Sequence, residues 1–533
     1  MQAVYPGALR IHTDHLPKVQ KRLTIDNPAH ITAKRFGRTW QARNEPEQLY
    51  GIRSGGEEEH VWLMRGVLDL VKDMPPYEDP STPFPRNPDW PRFLGDLRPH
   101  QTEANMASDG LRMGIFAMPT GSGKTVTAVA LAATLQIPTL VIVPTKDIFD
   151  QWVETCRTML GIEPGIYGSG KKEPDFQYVT IAMMQTLQRM KDQRYIEFAS
   201  NFGCCIVDEM HRSASPTLQR LMWLTPAWYR FGFTATDKRS DGKTKMLNWA
   251  FGKRVYSITS KELADMGYLR MPTVIPVFTD FEYPMAYDLT LARAEDSVLA
   301  KWPKKLTCFT DDADTIAAVA LGAVQYLMDK NGMVVITCAS KKIGEQMKKA
   351  TAGNVVADLH INTKAFTDCQ TAMCEDEERQ QIAIDTAVEE ATAGNTVLVL
   401  GGRIEHCEQL ADKITAAGIR CEAVHSKVKK KERKALLQEM RDGTLLVGTA
   451  TSLADEGLDI PRLGRLVKAF PMRAEPKTIQ RAGRCMRDFP GHGDPIIYDM
   501  IDHLIEAFEN QWFSRKRSYR KEQFEIQSIQ NPD

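Results

Sequence analysis

The chain has 533 residues, which is too long for one ordinary domain and predicts two large domains with additions. Its 68 basic and 68 acidic side chains cancel, which excludes a protein that is basic throughout, as histones are. Any surface for nucleic acid must therefore be local. The opening sequence MQAVYPGALRIHTDHL lacks the apolar core of a signal peptide, and no run of about 18 apolar residues occurs, so we expect an intracellular protein that enters no membrane.

The ten cysteines are scattered without a CxxC pair, and Cys204 and Cys205 lie in an apolar, strand-like run. Buried thiols in a reducing compartment fit this pattern better than disulfides or zinc ligands do. Cys369 and Cys374 come nearest to a metal pair, but no second pair accompanies them, so we expect no zinc site.

Residues 1–95 form the first predicted unit, a β-rich N-terminal accessory domain that ends in a proline-rich linker from Met74 onward. The first 43 residues carry eight Lys or Arg side chains against two Asp. This charge predicts either a surface that engages a nucleic-acid duplex or an ordinary solvated basic face, and the sequence favours neither. The basic residues are Arg10, Lys18, Lys21, Arg22, Lys34, Arg35, Arg38 and Arg43.

Short apolar runs then alternate with helical patterns, which is typical of parallel β-sheets with crossover helices. One series occupies residues 96–280, and a second occupies residues 393–503. Ligands of such folds bind beyond the carboxyl ends of the strands, where this chain has polar segments. The sequence therefore predicts an α/β protein with two lobes. The runs of the first series end at Met118, Pro144, Ala182, Glu209 and Thr236.

The strongest chemical pattern is MPTGSGKT, which ends at Thr125 and lies between an apolar strand and a helix. Backbone amides in such a loop converge on phosphate oxygens, while Lys124 can reach the β and γ phosphates and Thr125 can bind magnesium. The alternative is a glycine-rich turn without a ligand, which this context makes a poor explanation. The predicted nucleotide contacts of the loop are Thr120, Gly121, Ser122, Gly123, Lys124 and Thr125.

Two adjacent carboxylates, Asp208 and Glu209, follow a later apolar strand. Asp208 can hold magnesium through water while Glu209 polarises the water that attacks the γ-phosphate. Asp-Glu alone is usually a solvated loop, but here it follows a phosphate loop and precedes His211. DEMH resembles the DEAH-type motif II of superfamily 2 helicases, and Met118 stands where the strict phosphate loop has glycine, a departure common in that superfamily.

This resemblance extends over residues 96–503 and implies two tandem RecA-like lobes that bind ATP and Mg²⁺ between them. LRPHQ resembles the adenine-reading Q motif, with Gln101 as the reader. Loops resembling motifs Ia and Ib imply contacts to one nucleic-acid strand through Pro144, Thr145, Gln185 and Thr186. TAT, residues 234–236, resembles the coupling motif III. Each string alone could be an ordinary loop, and their order carries the argument.

In the second lobe, GTATSLADEGLDIP resembles motif V and QRAGRCMR resembles motif VI. The resemblance implies that Arg484 and Arg487 are the arginine fingers, which meet charge on the γ-phosphate when the lobes close. Arg462, Arg465 and Arg481 could equally be surface arginines. The other residues implied are Gln480 for catalysis, Gly457 and Asp459 for nucleotide contacts, and Thr449 for strand contact.

Between the lobes, residues 281–392 contain a helix-strand-helix pattern from Asp314 that parallels the start of the second lobe. We predict an inserted βα unit here, although α/β proteins reuse this pattern widely. Residues 504–533 are predicted to form a basic C-terminal helix. Its aromatic residues dock onto the second lobe, and its basic residues stay in water or add a phosphate contact.

DEMHR, EGLDIP and QRAGRCMRD look most like the XPB and UvsW-type DNA helicases, which also occur in phages. The resemblance implies an ATP-dependent DNA helicase or translocase that moves 3′ to 5′ and is a monomer in its core activity. RNA remains an alternative substrate, because motifs that contact phosphates can bind the backbone of DNA or of RNA. A nucleotide-gated binding protein without unwinding, and the motor subunit of a nuclease, are rival functions, although no PD-(D/E)xK-like nuclease pattern is evident.

The short span between motifs V and VI bears on the preferred DNA structure. Only 18 residues separate Pro461 from Gln480. A strand and its turns fill most of that span, so a strand-separating β-hairpin hardly fits. We therefore expect action on single-stranded, forked or branched DNA and poor unwinding of long duplexes.

Overall fold

In the computed structural model of the chain, the residues described are 5–25, 48–49, 52–54, 60–74, 77–81, 83–171, 173–210, 216–235, 244–293, 304–308, 312–330, 333–351, 355–451, 460–471, 489 and 493–528. None of the described helices combines the length and the apolarity that a membrane-spanning segment requires.

The N-terminal region is a small β-sheet domain, as predicted. Its elements are β1 (Ala8–His12), α1 (Leu16–Leu23), β2 (Thr24–Ile25), β3 (Gln48–Leu49), β4 (Ile52–Ser54), β5 (His60–Met64), α2 (Leu68–Val71) and β6 (Tyr77–Glu78). Four of these strands form an antiparallel sheet in the order β4-β5-β1-β6. Val19 and Leu23 of α1 are buried, whereas Lys18 and Lys21 of the same helix are exposed.

The first lobe contains a parallel seven-stranded sheet. Its helices are α3 (Pro99–Ala107), α4 (Lys124–Leu135), α5 (Lys146–Leu160), α6 (Met184–Gln188), α7 (Asp192–Ala199), α8 (Pro216–Leu224), α9 (Thr244–Phe251) and α10 (Ser260–Asp265). Its strands are β7 (Met113–Ala117), β8 (Thr139–Val143), β9 (Gly165–Tyr167), β10 (Val179–Met183), β11 (Cys204–Val207), β12 (Tyr229–Thr234) and β13 (Arg254–Ser257). The order is β13-β7-β12-β11-β8-β10-β9, with every pair parallel. The loops after β7, β8, β10 and β11 therefore meet at one edge of the sheet.

The N-terminal sheet and the first lobe share one hydrophobic core. Leu9 and Ile11 of β1 belong to the same buried cluster as Trp223 and Trp249 of the first lobe. The guanidinium of Arg230, itself fully buried, donates to the carbonyl of residue 7 at 3.0 Å. The N-terminal domain is thus part of the first lobe's packing.

The stretch predicted as a linker also packs on this lobe where it is described. Trp90 is 4% exposed, and its ring meets that of Tyr178 edge-on at 5.2 Å. The amide of Leu94 donates to the carbonyl of Met159 at 2.8 Å. Residues 83–95 therefore have fixed contacts on the lobe surface.

The segment between the lobes is a separate four-stranded unit. It contains β15 (Tyr287–Arg293), β16 (Lys304–Cys308), α11 (Ala313–Lys330), β17 (Met333–Cys338), α12 (Lys341–Ala350) and β18 (Val355–Ile361), and it follows β14 (Thr273–Thr279). The sheet order is β16-β17-β15-β18, with β15 antiparallel to both of its neighbours. The helix-strand-helix pattern from Asp314 is α11, β17 and α12, so the prediction of an inserted βα unit is confirmed.

The second lobe has its own parallel seven-stranded sheet. Its helices are α13 (Thr363–Glu375), α14 (Glu377–Thr392), α15 (Ile404–Ala416), α16 (Lys430–Asp442) and α17 (Glu506–Lys521). Its remaining strands are β19 (Thr396–Leu400), β20 (Cys421–Val424), β21 (Val447–Ala450), β22 (Leu463–Lys468), β23 (Ile496–Asp502) and β24 (Glu525–Ile526). The order is β20-β21-β19-β22-β23-β14-β24. The predicted α/β fold with two parallel-sheet lobes is confirmed.

Two elements differ from the domain bounds drawn from the sequence. Strand β14 lies inside the range 96–280, but all seven of its residues pair with β23 of the second sheet, so the second lobe already includes Thr273–Thr279. The C-terminal helix ends at Lys521, and β24 then pairs with β14. Both differences have the same cause, because β14 and β24, which are distant from each other in sequence, together complete one edge of the second sheet.

Candidate active site

The loop between β7 and α4 has the backbone shape that a phosphate-binding loop requires. Gly121 and Gly123 have φ angles of 86° and 79°, which residues with a Cβ rarely adopt. A Cβ at Gly123 would lie 2.2 Å from Nε2 of Gln101, so a larger residue there would have to displace the Gln101 amide. Helix α4 begins at Lys124, and its first amides lack partners within the helix. The loop thus offers a cradle for phosphate at a helix N-terminus.

Two side chains of α3 brace this loop from behind. Nε2 of Gln101 donates to the carbonyl of Ser122 at 3.1 Å, and its Oε1 accepts from the amide of Arg98 at 2.9 Å. The His100 ring meets the same Ser122 carbonyl at 2.8 Å, and burial lowers the pKa of His100. Tyr268 packs against His100 and lies 4.6 Å below the Arg98 guanidinium. The predicted adenine reader is therefore also a structural contact of the phosphate loop.

The predicted catalytic charges of the first lobe lie together. Nζ of Lys124 is 3.9 Å from Oε1 of Glu209, and both side chains are 11% exposed. Asp208 is 4% exposed at the end of β11. Glu209 has a φ of 49°, an unusual conformation for a residue with a side chain that is enriched at functional sites. The lysine predicted to bind phosphate and the carboxylate predicted to act on water thus face each other.

Asp208 and Thr125 have the chemistry of a magnesium site. Hydroxyl and carboxylate oxygens are the ligands that Mg²⁺ prefers, completed by water and substrate phosphates. Burial, and then the charge of Glu209, raise the pKa of Asp208, while Lys124 opposes the shift. A buried carboxylate in this state gains from a bound cation. Within the described residues, no group of three or more His, Cys, Asp or Glu side chains could hold a metal ion.

Trp152 is a site residue that the sequence reasoning did not find. Its indole nitrogen donates to Oδ2 of Asp208 at 2.8 Å, and the ring is 1% exposed. Oδ1 of the same carboxylate accepts from the amide of Glu209 at 2.8 Å. The two bonds fix the orientation of Asp208. The tryptophan is 56 residues away in sequence, and no local pattern links the two.

The residues predicted to contact a nucleic-acid strand are only partly brought together. The side-chain amide of Gln185 donates to the Pro144 carbonyl, which joins the loops after β8 and β10. Thr145 precedes α5, and Thr186 lies on α6. Thr449, in contrast, is fully buried and donates to the carbonyl of Cys407 at 2.8 Å. The Thr449 side chain therefore packs in the core, and a nucleic-acid strand could contact this segment only through neighbouring atoms.

The implied second-lobe residues lie outside the described residues. These are Gly457, Asp459, Gln480, Arg481, Arg484 and Arg487. In the first lobe, His211 and Thr236 of the coupling motif also lie outside the described residues. Arg465 is 8% exposed and pairs with Glu390 at 2.7 Å in the core, so it is not a surface arginine. The eight cysteines whose side chains the structure describes are buried thiols, as predicted.

Comparison with protein families gives two matches that flank the inserted unit. Residues 95–239 match the family described as "Type III restriction enzyme, res subunit", and residues 378–488 match "Helicase conserved C-terminal domain". The first match contains the phosphate loop and Asp208, and the second contains the segments resembling motifs V and VI.

Three curated proteins illustrate the likeness. The DNA 3'-5' translocase XPB2 of Sulfurisphaera tokodaii is 25% identical over 409 residues, which cover 76% of this chain and 81% of that protein. The probable helicase D10 of Escherichia phage T5 is 23% identical over 382 residues, 72% of this chain and 66% of that protein. The putative ATP-dependent RNA helicase L396 of Acanthamoeba polyphaga mimivirus is 21% identical over 447 residues, 82% of this chain and 70% of that protein.

Proposed function

Because the chain is a superfamily 2 helicase close to the XPB and UvsW type, we propose that it is a 3′ to 5′ DNA translocase that acts on forked or branched DNA. Enzymes of this class hydrolyse ATP, and the observation that carries the proposal is the buried contact between Lys124 and Glu209 beside the phosphate loop. DNA and the 3′ to 5′ direction are supported by the relative named a DNA 3'-5' translocase.

In the proposed reaction, Lys124 and the loop amides hold the phosphates of ATP while Glu209 orients and deprotonates the attacking water. Asp208 and Thr125 would hold magnesium, which supplies positive charge to the phosphate oxygens. Trp152 keeps the Asp208 carboxylate in one orientation. Arg484 and Arg487 are proposed to meet the γ-phosphate on lobe closure, so that hydrolysis depends on the position of the second lobe.

Substrate preference is tested by ATP turnover with equal nucleotide concentrations of single-stranded DNA, blunt duplex, fork, four-way junction and single-stranded RNA. We expect the highest turnover with forked or junction DNA and the lowest with RNA. Glu209→Gln is the control, since its turnover should be low with every one of these nucleic acids. Stimulation by RNA equal to that by DNA would favour the RNA helicase alternative, and equal stimulation by blunt duplex would remove the preference for branched DNA.

Direction is tested by displacement of streptavidin from biotin at either end of a single strand. A 3′ to 5′ motor displaces it from the 5′ end. Displacement from the 3′ end alone would reverse the proposed polarity, and turnover without displacement from either end would support a nucleotide-gated binding protein.

We propose that the exposed basic face of α1, which includes Lys18 and Lys21, contacts the duplex arm of the substrate. Deleting the N-terminal domain is a poor test, because it would expose Trp223 and Trp249 of the shared core. Lys18→Ala with Lys21→Ala should lower fork-stimulated turnover and leave single-strand-stimulated turnover unchanged. The exposed Lys72→Ala in the same domain is the matched control, and equal effects of the two variants would contradict the contact.

A further inference from the structure

The second lobe has a cavity of about 350 Å³ that no predicted motif uses. It lies between α17 and the carboxyl-terminal halves of β14 and β23, at the edge of the sheet completed by β24. Its size is in the range of small-molecule sites. The strands of this sheet are parallel, and the cavity lies towards their carboxyl ends, which is where ligands of such folds bind.

Aromatic side chains supply much of the cavity wall. Trp512 is 4% exposed and forms the floor of the cavity, while Phe513 beside it is 47% exposed. Phe278 and His503 meet edge-on across another part of the wall, with ring centroids 5.6 Å apart. Exposing nearly half of a phenylalanine to water is unfavourable, and a planar apolar ligand that covered it would remove that cost.

Positive charge lies beside the aromatic wall. Lys516 and Arg520 line the cavity, and Glu509 contributes the carboxylate among its lining side chains. Lys516 also lies 5.7 Å from the centre of the Trp512 ring, so its ammonium group is held near the floor. Arg517 and Lys521 add positive charge on the exposed side of the same helix. An anion attached to a planar ring is the ligand that complements this arrangement.

We propose that this cavity holds one base of a single DNA strand, with Phe513 stacking on the base and Lys516 and Arg520 contacting the adjoining phosphates. The proposal rests on the proposed function, which makes a DNA strand the polyanion bound by this enzyme. Stacking on an aromatic side chain tolerates any base, and basic residues follow the strand backbone without regard to sequence. The cavity would therefore give the second lobe a grip on the strand that is independent of sequence.

Binding of fluorescein-labelled oligothymidylate and of an abasic oligonucleotide of equal length, measured by anisotropy without ATP, tests this site. Phe513→Ala should weaken oligothymidylate binding by about 5- to 100-fold and leave abasic binding unchanged, because only the stacking contact is lost. Lys516→Ala should weaken both and lower the slope of log affinity against log salt by about one.

Two variants serve as matched controls on the same surface. Leu504 is also 47% exposed but does not line the cavity, so Leu504→Ala should bind both oligonucleotides as the wild type does. Arg517→Ala removes a charge from α17 outside the cavity and should have a smaller effect than Lys516→Ala. A loss in Leu504→Ala equal to that in Phe513→Ala would overturn the assignment of the cavity.

The failure of this proposal can be told apart from failure of the proposed function. If wild-type turnover is not stimulated by DNA, the proposed function fails. If it is stimulated and Phe513→Ala binds oligothymidylate normally, only the cavity assignment fails. If Lys124→Ala still binds a fluorescent ATP analogue and Phe513→Ala abolishes that binding, the cavity takes a free nucleotide and the DNA assignment is overturned.

Discussion

Asp208, directly after a strand of the first lobe, and Asp499, on a strand of the second, are both buried acids, yet their pKa values move in opposite directions. Asp208 is 4% exposed, and burial together with Glu209 raises its pKa. Asp499 is 1% exposed, and although burial alone would raise its pKa, Arg515 and Lys468 hold it below the ordinary value. Similar burial therefore accompanies two different electrostatic states.

The difference separates a reactive site from a scaffold. Oδ2 of Asp499 accepts from Arg515 at 2.9 Å, from Lys468 at 3.1 Å and from the hydroxyl of Tyr519 at 2.8 Å. These contacts tie α17 to the second sheet, which is why two of the basic helix's polar residues are unavailable for nucleic acid. Asp208 has hydrogen bonds but incomplete charge compensation, which suits a carboxylate that receives a cation with the substrate.

The largest effect expected at the reactive site follows from Glu209→Gln. An amide cannot take the proton of the attacking water, so kcat should fall by about 10²- to 10⁴-fold. Binding of ATP should persist, since Lys124 and the loop are intact. Steady-state turnover and equilibrium nucleotide binding together measure this separation. Glu154→Gln, an exposed acid on α5, is the control, and near-normal turnover in Glu209→Gln would remove Glu209 from the role of base.

The second prediction compares the two acids by stability. Asp499→Asn leaves the charges of Lys468 and Arg515 buried without their carboxylate, which should lower the free energy of unfolding by about 3–5 kcal/mol. Asp208→Asn removes a charge that the fold disfavours, so stability should stay equal or rise while hydrolysis is lost. Urea unfolding followed by tryptophan fluorescence measures both. Equal destabilisation by the two changes would contradict the comparison.

The pH dependence of stability should also differ in sign between the acids. Asp499, with a lowered pKa in the folded state, stabilises the protein above the ordinary Asp pKa near 4 and loses that contribution as the pH falls. Asp208, with a raised pKa, binds its proton more readily in the folded state, so its contribution falls as the pH rises.

The sequence alone predicted those parts of the site that come from short, continuous segments of the chain. The phosphate loop, Asp208 and Glu209 each directly follow an apolar strand, and parallel strands bring such ends to one edge. The sequence did not predict the contacts between segments that lie far apart in the chain. Pairing of Thr273 with Ile496 depends on two strands more than 200 residues apart, and neither strand differs in pattern from its neighbours. The contact of Trp152 with Asp208 and that of Arg230 with residue 7 likewise have no local signature.

The third prediction concerns the orientation of Asp208 by Trp152. Trp152→Phe keeps an aromatic ring but removes a hydrogen bond to a charged group, which contributes about 1.5–3 kcal/mol. We expect the Mg²⁺ concentration for half-maximal turnover to rise by about 10-fold or more. The indole hydrogen bond also lowers the pKa of Asp208, so its loss should raise that pKa. The pH below which more Mg²⁺ is needed for half-maximal turnover should therefore rise, which a change of packing alone would not cause.

Trp90→Phe is the matched control for this change. Trp90 is also a buried tryptophan of the first lobe, and its indole nitrogen has no hydrogen-bond partner among the described residues. The control should lose some stability but keep the Mg²⁺ requirement and its pH profile. If both variants shift the requirement equally, Trp152 acts through packing and does not orient Asp208.

The smallest effect is expected at Gln101, where two roles meet in one side chain. The resemblance makes it the reader of adenine, and the structure shows its amide bonded to the Ser122 carbonyl and the Arg98 amide. Gln101→Ala should raise KM for both ATP and GTP by about 2- to 12-fold, the effect of losing one ordinary hydrogen bond to the loop. If Gln101 also reads adenine, KM for ATP should rise further, and the preference for ATP over GTP should narrow.

Asn105→Ala is the control, because its amide bonds the Gln101 carbonyl at 3.0 Å without reaching Ser122, so it should leave the preference unchanged. Equal increases in KM for both nucleotides in Gln101→Ala would limit Gln101 to supporting the loop, and the selection of the base would then have to come from other residues.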